Sequence, residues 1–167
     1  ILDCKSQNKK ESNDQLCSPL KRYIMNLEQL KEQASKDLIV ENEEHLDSES
    51  LKNQKIKAKY LDHKTRYQLL LQKANGDYQR MYREKWEYYG GKADVKVYVA
   101  KPFDLKVLKG DLAMYISSDE EIIALMDKIG YLEVVIKYID GVIKSIDNRG
   151  WDIKNAIEWK KFEAGMI

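Results

Sequence analysis

Histidine, cysteine and proline each occur only twice in this chain of 167 residues, and glycine only eight times. Each scarcity excludes something. His45 follows an acidic run and His63 sits among lysines, so no Ser-His-Asp set and no paired metal-ligand spacing can be assembled. No GxxxxGK[ST] phosphate loop is present either. Cys4 and Cys17 have no neighbouring His or Cys at ligand spacing and read as free thiols of a reducing compartment. No apolar run approaches the roughly 18 residues a membrane helix needs. The first residues carry no apolar secretory stretch, which predicts a cytoplasmic protein. The reading is a protein that is not an enzyme and holds no cofactor or metal.

What is abundant is Lys, Glu, Leu and Ile, a helical composition of a size that fits one domain. Residues 1–24 are mostly polar, lack sustained periodicity and hold Pro19. The texture changes at Met25, where Asn26 and Gln29 stand at N-cap and N3 spacing and Leu27, Leu30 and Ala34 form one face. The expectation is a disordered upstream extension over 1–24, a native start at Met25, and a single helical domain over 25–167.

Net charge is only +1, but the charges are sorted along the chain. Residues 26–50 carry eight acids and two bases, residues 51–110 fifteen bases and six acids, and residues 111–167 seven bases and eleven acids. Such sorting makes the central segment a candidate for binding an anionic polymer. The plainer alternative is a solvated, lysine-rich helix face. A membrane-surface helix is disfavoured, because no continuous Leu/Phe face lies opposite the lysines.

From Ser48 a proline-free stretch runs to Tyr89, with Leu51, Ala58, Leu61, Tyr82, Trp86 and Tyr89 on one heptad register. Asn75-Gly76-Asp77 is its weak point, although helical spacing resumes on both sides, so one continuous helix ending at Gly90-Gly91 is expected. Val95, Val97 and Val99 alternate with Lys96 and Tyr98 and precede Pro102, which predicts an irregular, extended segment over about 92–110. Asp119 can cap a second long helix with Glu120 and Glu121 in its first turn. Along it Ile122, Leu125, Ile129, Leu132, Ile136, Ile139, Ile143 and Ile146 keep an unbroken 3-4 spacing, and Tyr131, Val135, Tyr138 and Val142 add a second stripe. Asn148-Arg149-Gly150 is expected to interrupt it before a short terminal helix with Ile153, Ile157, Trp159 and Phe162. The fold class is therefore all-α: two long helices in a coiled-coil-like hairpin plus short N- and C-terminal helices. Two stripes are more than one partner helix covers, which points to a homo-oligomer joined through Ile129, Leu132, Ile136, Ile139, Ile143, Ile146, Ile153 and Ile157.

The decapeptide REKWEYYGGK at 83–92 gathers three aromatics and three cations around a double glycine, with Arg83 and Lys85 before it and Lys92 after it. It reads either as a helix end with aromatics on the core, or as a surface where cations neutralise phosphates and rings stack on bases. Trp86 and Tyr89 fit the core register. Lys96, Lys101, Lys106 and Lys109 follow at once.

The C-terminal stretch NRGWDIK, continuing to FEAG at 162–165, resembles the end of the UvsY family of phage recombination mediators. REKWEYYGGK is similar to the family's second marker, a basic pair, Tyr-Tyr, a small residue, Gly and a basic residue. GKADVKVYVAKPF resembles the marine-phage form, and MNLEQLKEQ with DLIVENEEHLDSESLK resembles the family's start, so the likeness spans about 25–167. It implies a protein that binds single-stranded DNA and loads a RecA-type recombinase onto DNA covered by single-strand-binding protein, contacting both proteins. It also implies a ring-like homo-oligomer assembled through the C-terminal helices, at work in the cytoplasm of an infected bacterium. The family's basic pair carries over to Arg83 and Lys85, with Tyr88, Tyr89 and Lys92 in the same marker and Lys96 and Lys101 beside it. The order differs from the best-known member, which has Lys then Arg at the pair and Arg in place of Lys92. Charge is kept, but Lys lacks the two-pronged fork of Arg. The alternative function is a coiled-coil scaffold whose lysines only face solvent.

Overall fold

The computed structural model describes residues 25–42 and 44–166. The expected extension 1–24, with Cys4 and Cys17, lies outside them, as does Glu43. Among the described residues the fold is all-helical: α1 (Leu27–Leu38), α2 (Leu46–Tyr89), α3 (Val95–Ala100), α4 (Leu112–Ser117) and α5 (Glu120–Glu163). The domain expected over 25–167 is built as two compact units. One comprises the described residues before 59 with those after 143, the other residues 59–143, and α2 and α5 contribute to both.

In the first unit α1 begins with the expected capping box. The Asn26 side chain accepts from the Gln29 amide at 2.8 Å, and the Gln29 side chain accepts from the Asn26 amide at 2.9 Å. Its face buries Leu30 and Ala34. The Asn42 side chain accepts from the amides of Glu44 and His45 just before α2 starts, at 2.9 and 3.3 Å. The tie that gathers these segments is Arg149. Its guanidinium donates to the carbonyls of Leu38 (3.2 Å), Ile39 (3.2 Å) and Glu49 (3.1 Å), to the Asn53 side chain, and to the Glu49 carboxylate at 2.5 Å. These contacts match the five N–H groups a guanidinium owns, and two of the acceptors are carbonyls left open by the C-terminus of α1. Lys52 holds the other oxygen of Glu49, also at 2.5 Å, and reaches Glu41 at 3.4 Å. The Lys52 hydrogen bond, joined by that of Arg149, keeps the buried Glu49 carboxyl below the usual carboxylate range against the opposing effect of burial. Part of the acidic stretch 41–49 is thus spent inside the unit.

This network also explains a correction. The helix does not break at Asn148-Arg149-Gly150: α5 runs unbroken to Glu163, so the short separate terminal helix expected there is the last part of α5. A helical glycine costs about 1 kcal/mol, which the neighbouring, fully engaged Arg149 outweighs.

In the second unit α2 and α5 run antiparallel. Lys64 pairs with Asp140 and Lys85 with Asp119, so 21 residues forward along one helix match 21 back along the other. The continuity of α2 through Asn75-Gly76-Asp77 is as expected. Its inward register is not. Leu51 is 78% exposed, and Ala58, Leu61 and Trp86 also face solvent. The buried row of α2 is instead Leu46, Glu49, Tyr60, Tyr67 and Ala74. The expected register ran through Leu51 and Leu61, whereas this helix turns inward Tyr60, Tyr67 and Glu49, whose carboxylate pairs with Arg149 of α5.

On α5 the buried row is Leu132, Val135, Ile139, Val142, Ile146, Arg149 and Ile153, with Ile122 near its start. Four residues assigned to subunit contacts, Leu132, Ile139, Ile146 and Ile153, are therefore buried by the chain's own packing. Ile129, Ile136, Ile143 and Ile157 are only half-buried.

The segment after α2 also departs from expectation, since residues 95–100 are helical rather than extended. The Asp94 side chain caps α3 through the Lys96 amide at 3.0 Å. Tyr98 turns inward, its hydroxyl donating at 2.7 Å to the Tyr88 carbonyl at the end of α2. The three alternating valines are exposed. The irregular remainder is about 101–110.

Replacing Arg149 by Met takes one of its two cations from the buried Glu49 carboxylate and strips the Glu49 carbonyl and the part-buried Leu38 and Ile39 bonds of their donor. An expected loss of about 3–5 kcal/mol in urea unfolding follows, with no rescue by Lys, which has no fork. A loss under about 1 kcal/mol would show the network to be dispensable.

Candidate nucleic-acid interface

The end of α2 carries the marker decapeptide. The Lys92 amide donates to the Glu87 carbonyl at 2.8 Å and the Gly91 amide to the Tyr88 carbonyl at 3.3 Å, with Gly91 at φ +72°. This is the Schellman closure, which needs a residue free to take the left-handed conformation. A side chain on Gly90 would bring its Cβ within 2.7 Å of the Trp86 carbonyl oxygen. The double glycine therefore ends the helix and folds Lys92 back. Its ammonium lies over the Trp86 ring, 4.3 Å from the centroid.

The seven residues proposed from sequence to meet DNA divide into two sets. Lys85 points inward: its side chain is 12% exposed and its ammonium is held by Asp119 at 2.8 Å and Glu121 at 3.2 Å. Burial alone would lower the lysine, but these two hydrogen bonds raise it above its ordinary range. Tyr89 donates its hydroxyl to the same Asp119 oxygen at 2.8 Å. Tyr88 donates to the Lys101 carbonyl at 3.1 Å, and its ring stacks on Tyr98 at 5.5 Å. Tyr89, Phe103 and Tyr115 close the cluster edge to face and tilted, at 5.1–6.3 Å. Lys85, Tyr88 and Tyr89 are thus in use inside the unit.

Asp119 is the hub. Its side chain, 8% exposed, also accepts from the Glu121 amide at 2.9 Å, so the expected cap of α5 is present. Burial would raise its carboxyl, yet the bonds from Lys85, Tyr89 and the Glu121 amide hold it below the usual range. Lys101 and Lys85 likewise hold Glu121 low.

The second set faces outward. The Arg83 side chain is 79% exposed and only 3.6 Å from Glu87, too far for a good hydrogen bond. Lys92 and Lys96 are exposed. Lys101 is exposed and pairs with Glu121 at 2.9 Å, a surface contact worth about 0–1 kcal/mol that a phosphate can replace. Trp86, placed in the core register from sequence, is 40% exposed and belongs with this set. Its position within REKWEYYGGK carried the aromatic signal but not the side of the helix it faces. Among the described residues no group of three or more His, Cys, Asp or Glu is placed to hold a metal ion, and no helix is long and apolar enough to cross a membrane.

A family model described as "Recombination, repair and ssDNA binding protein UvsY" matches residues 24–166. The "Recombination protein uvsY" of Enterobacteria phage T4 is 21% identical over 141 residues, which span 84% of this chain and 99% of that protein. Two crystal structures of the bacteriophage T4 recombination mediator protein UvsY, lattice types II and I, match with TM-scores of 0.74 and 0.73. Identities are 21% and 19%, covering 84% and 81% of this chain and 99% and 98% of theirs. Likeness at that identity establishes the helical fold.

The part-buried Tyr89 hydroxyl yields a pH prediction. Burial, then the Asp119 carboxylate, pushes it up to about 12. A value raised above the unfolded one, about 10, means stability present below pH 10 and lost as pH rises towards 12. Tyr89→Phe should lower the melting temperature at pH 8 and flatten its decline between pH 10 and 12, read by circular dichroism. A parallel decline in both proteins would contradict the assignment.

Proposed function

The chain belongs to the UvsY family of recombination, repair and ssDNA-binding proteins, and from that membership we propose that it is a non-enzymatic recombination mediator. It binds single-stranded DNA and helps a RecA-type recombinase load onto DNA covered by single-strand-binding protein, contacting both proteins in the cytoplasm of an infected bacterium. It works as a ring-like homo-oligomer, for which the half-buried Ile129, Ile136, Ile143 and Ile157 and the exposed Trp151, Trp159 and Phe162 supply apolar surface. The observation that carries the reading is the outward cation set at the end of α2, within the basic stretch 51–110.

The chemistry is simple. Arg83, Lys92, Lys96 and Lys101 replace the counterions of the sugar–phosphate backbone, a grip that is strong at low salt and indifferent to sequence. A mediator needs such indifference, because it must act wherever single strands arise. Lys85 serves the site at one remove: its ammonium offsets part of the charge of Asp119 and Glu121 beside the outward cations.

Changing Arg83 and Lys92 together to Ala should weaken binding to every single-stranded sequence. It should also make the log-affinity against log-salt slope shallower by up to about 1.4 per subunit on the strand. Parent-like affinity and slope would move the DNA site away from this helix end, to Lys96, Lys101, Lys106 and Lys109, whereas a parent that binds no single strand would favour the rival scaffold. Loading is tested separately, by whether the chain shortens the lag of recombinase filament assembly on DNA already covered by single-strand-binding protein.

A further inference from the structure

The ring cluster at the end of α2 leaves one aromatic of the marker out. Tyr88, Tyr89, Tyr98, Phe103 and Tyr115 spend their faces and edges on one another. Trp86 shares no such contact among the described residues. It lies off the buried row of α2, exposed, with Arg83 one turn before it on the same side of the helix. Lys92 is returned over it by the glycine turn. A flat, exposed indole flanked by two cations is the combination that single-strand binders present to a base and its neighbouring phosphates.

We propose that Trp86 is the platform on which an unpaired nucleobase stacks, with Arg83 and Lys92 taking the phosphates on either side. The proposal rests on the single-strand-binding reading above and adds the aromatic contact to it. Lys92 over the ring is then the resting arrangement. An exposed ammonium–indole contact is weaker than base–indole stacking, so a base can take the ammonium's place while Lys92 moves onto a phosphate. Every base has a π-face, so the platform adds affinity without sequence preference. Tyr88 and Tyr89, although part of the same motif, do not stack on DNA; they hold the turn that displays Trp86.

The test compares two oligomers of equal length, oligo-dT and an abasic phosphodiester strand, by fluorescence anisotropy at several salt concentrations. The parent should bind oligo-dT at least about 5-fold tighter than the abasic strand. Trp86→Ala should remove most of that ratio while leaving abasic affinity and the salt slope as they were. Trp86→Phe, which keeps a smaller ring, should restore part of it, and unchanged far-ultraviolet dichroism in both variants certifies the helix. The platform is overturned if Trp86→Ala keeps the parent's ratio, or if both affinities fall together, which would make Trp86 only a clasp for the turn. A parent that binds both strands equally also overturns it while leaving DNA binding intact. A parent that binds neither strand removes the functional reading and the platform with it.

Discussion

Asp119 is where the end of α2 is fastened to the beginning of α5. One carboxylate caps the second helix, accepts the Tyr89 hydroxyl and neutralises Lys85, almost out of contact with water. The arrangement is self-consistent only as a whole. Without the ammonium the carboxylate would be a buried, unbalanced charge, and without the carboxylate Lys85 would be the same with opposite sign. Because the contact fixes Lys85 and Tyr89 inward, helical geometry fixes which neighbours face outward. Arg83 and Trp86 then point to solvent, and the glycine turn brings Lys92 to join them.

The marker decapeptide therefore does two jobs on two sides of one helix end. Lys85, Tyr88 and Tyr89 build the joint, while Arg83, Trp86 and Lys92 are displayed by it. The same division recurs in the first unit, where Arg149 is a structural cation whose donors are all engaged. A count of positive charge alone does not separate Lys85 and Arg149 from the exposed cations; their partners do, because both are engaged inside the chain.

Much of this was legible in the sequence wherever the signal is local. The Asn26 capping box, the end of α2 at Gly90-Gly91, the Asp119 cap and the long α5 stripe each depend on residues within a turn of one another. The family likeness rested on short marker stretches that remain recognisable at 21% identity. What failed was non-local. The inner row of α2 contains Glu49 and Tyr60 rather than Leu51 and Leu61, and the partner of Glu49 lies far along the chain, at Arg149, 100 residues away. Val95, Val97 and Val99 alternate as in an extended segment, yet the Asp94 cap and the Tyr98 hydroxyl on the Tyr88 carbonyl hold a helical turn. Trp86 was assigned to the core for the same reason that Leu51 was, since the register was drawn through the largest apolar side chains.

The central claim, that one helix end separates a joint from a displayed surface, is tested most directly by lysine reactivity. The native protein would be labelled with an amine-acetylating reagent, with and without oligo-dT, and each site read by mass spectrometry. The account predicts that Lys85 stays unreactive in both conditions, while Lys92 reacts freely in the absence of DNA and is protected by it. A Lys85 that reacts readily alone and is protected by DNA would contradict the account, because the pair with Asp119 would then be open and the joint would itself be the binding surface.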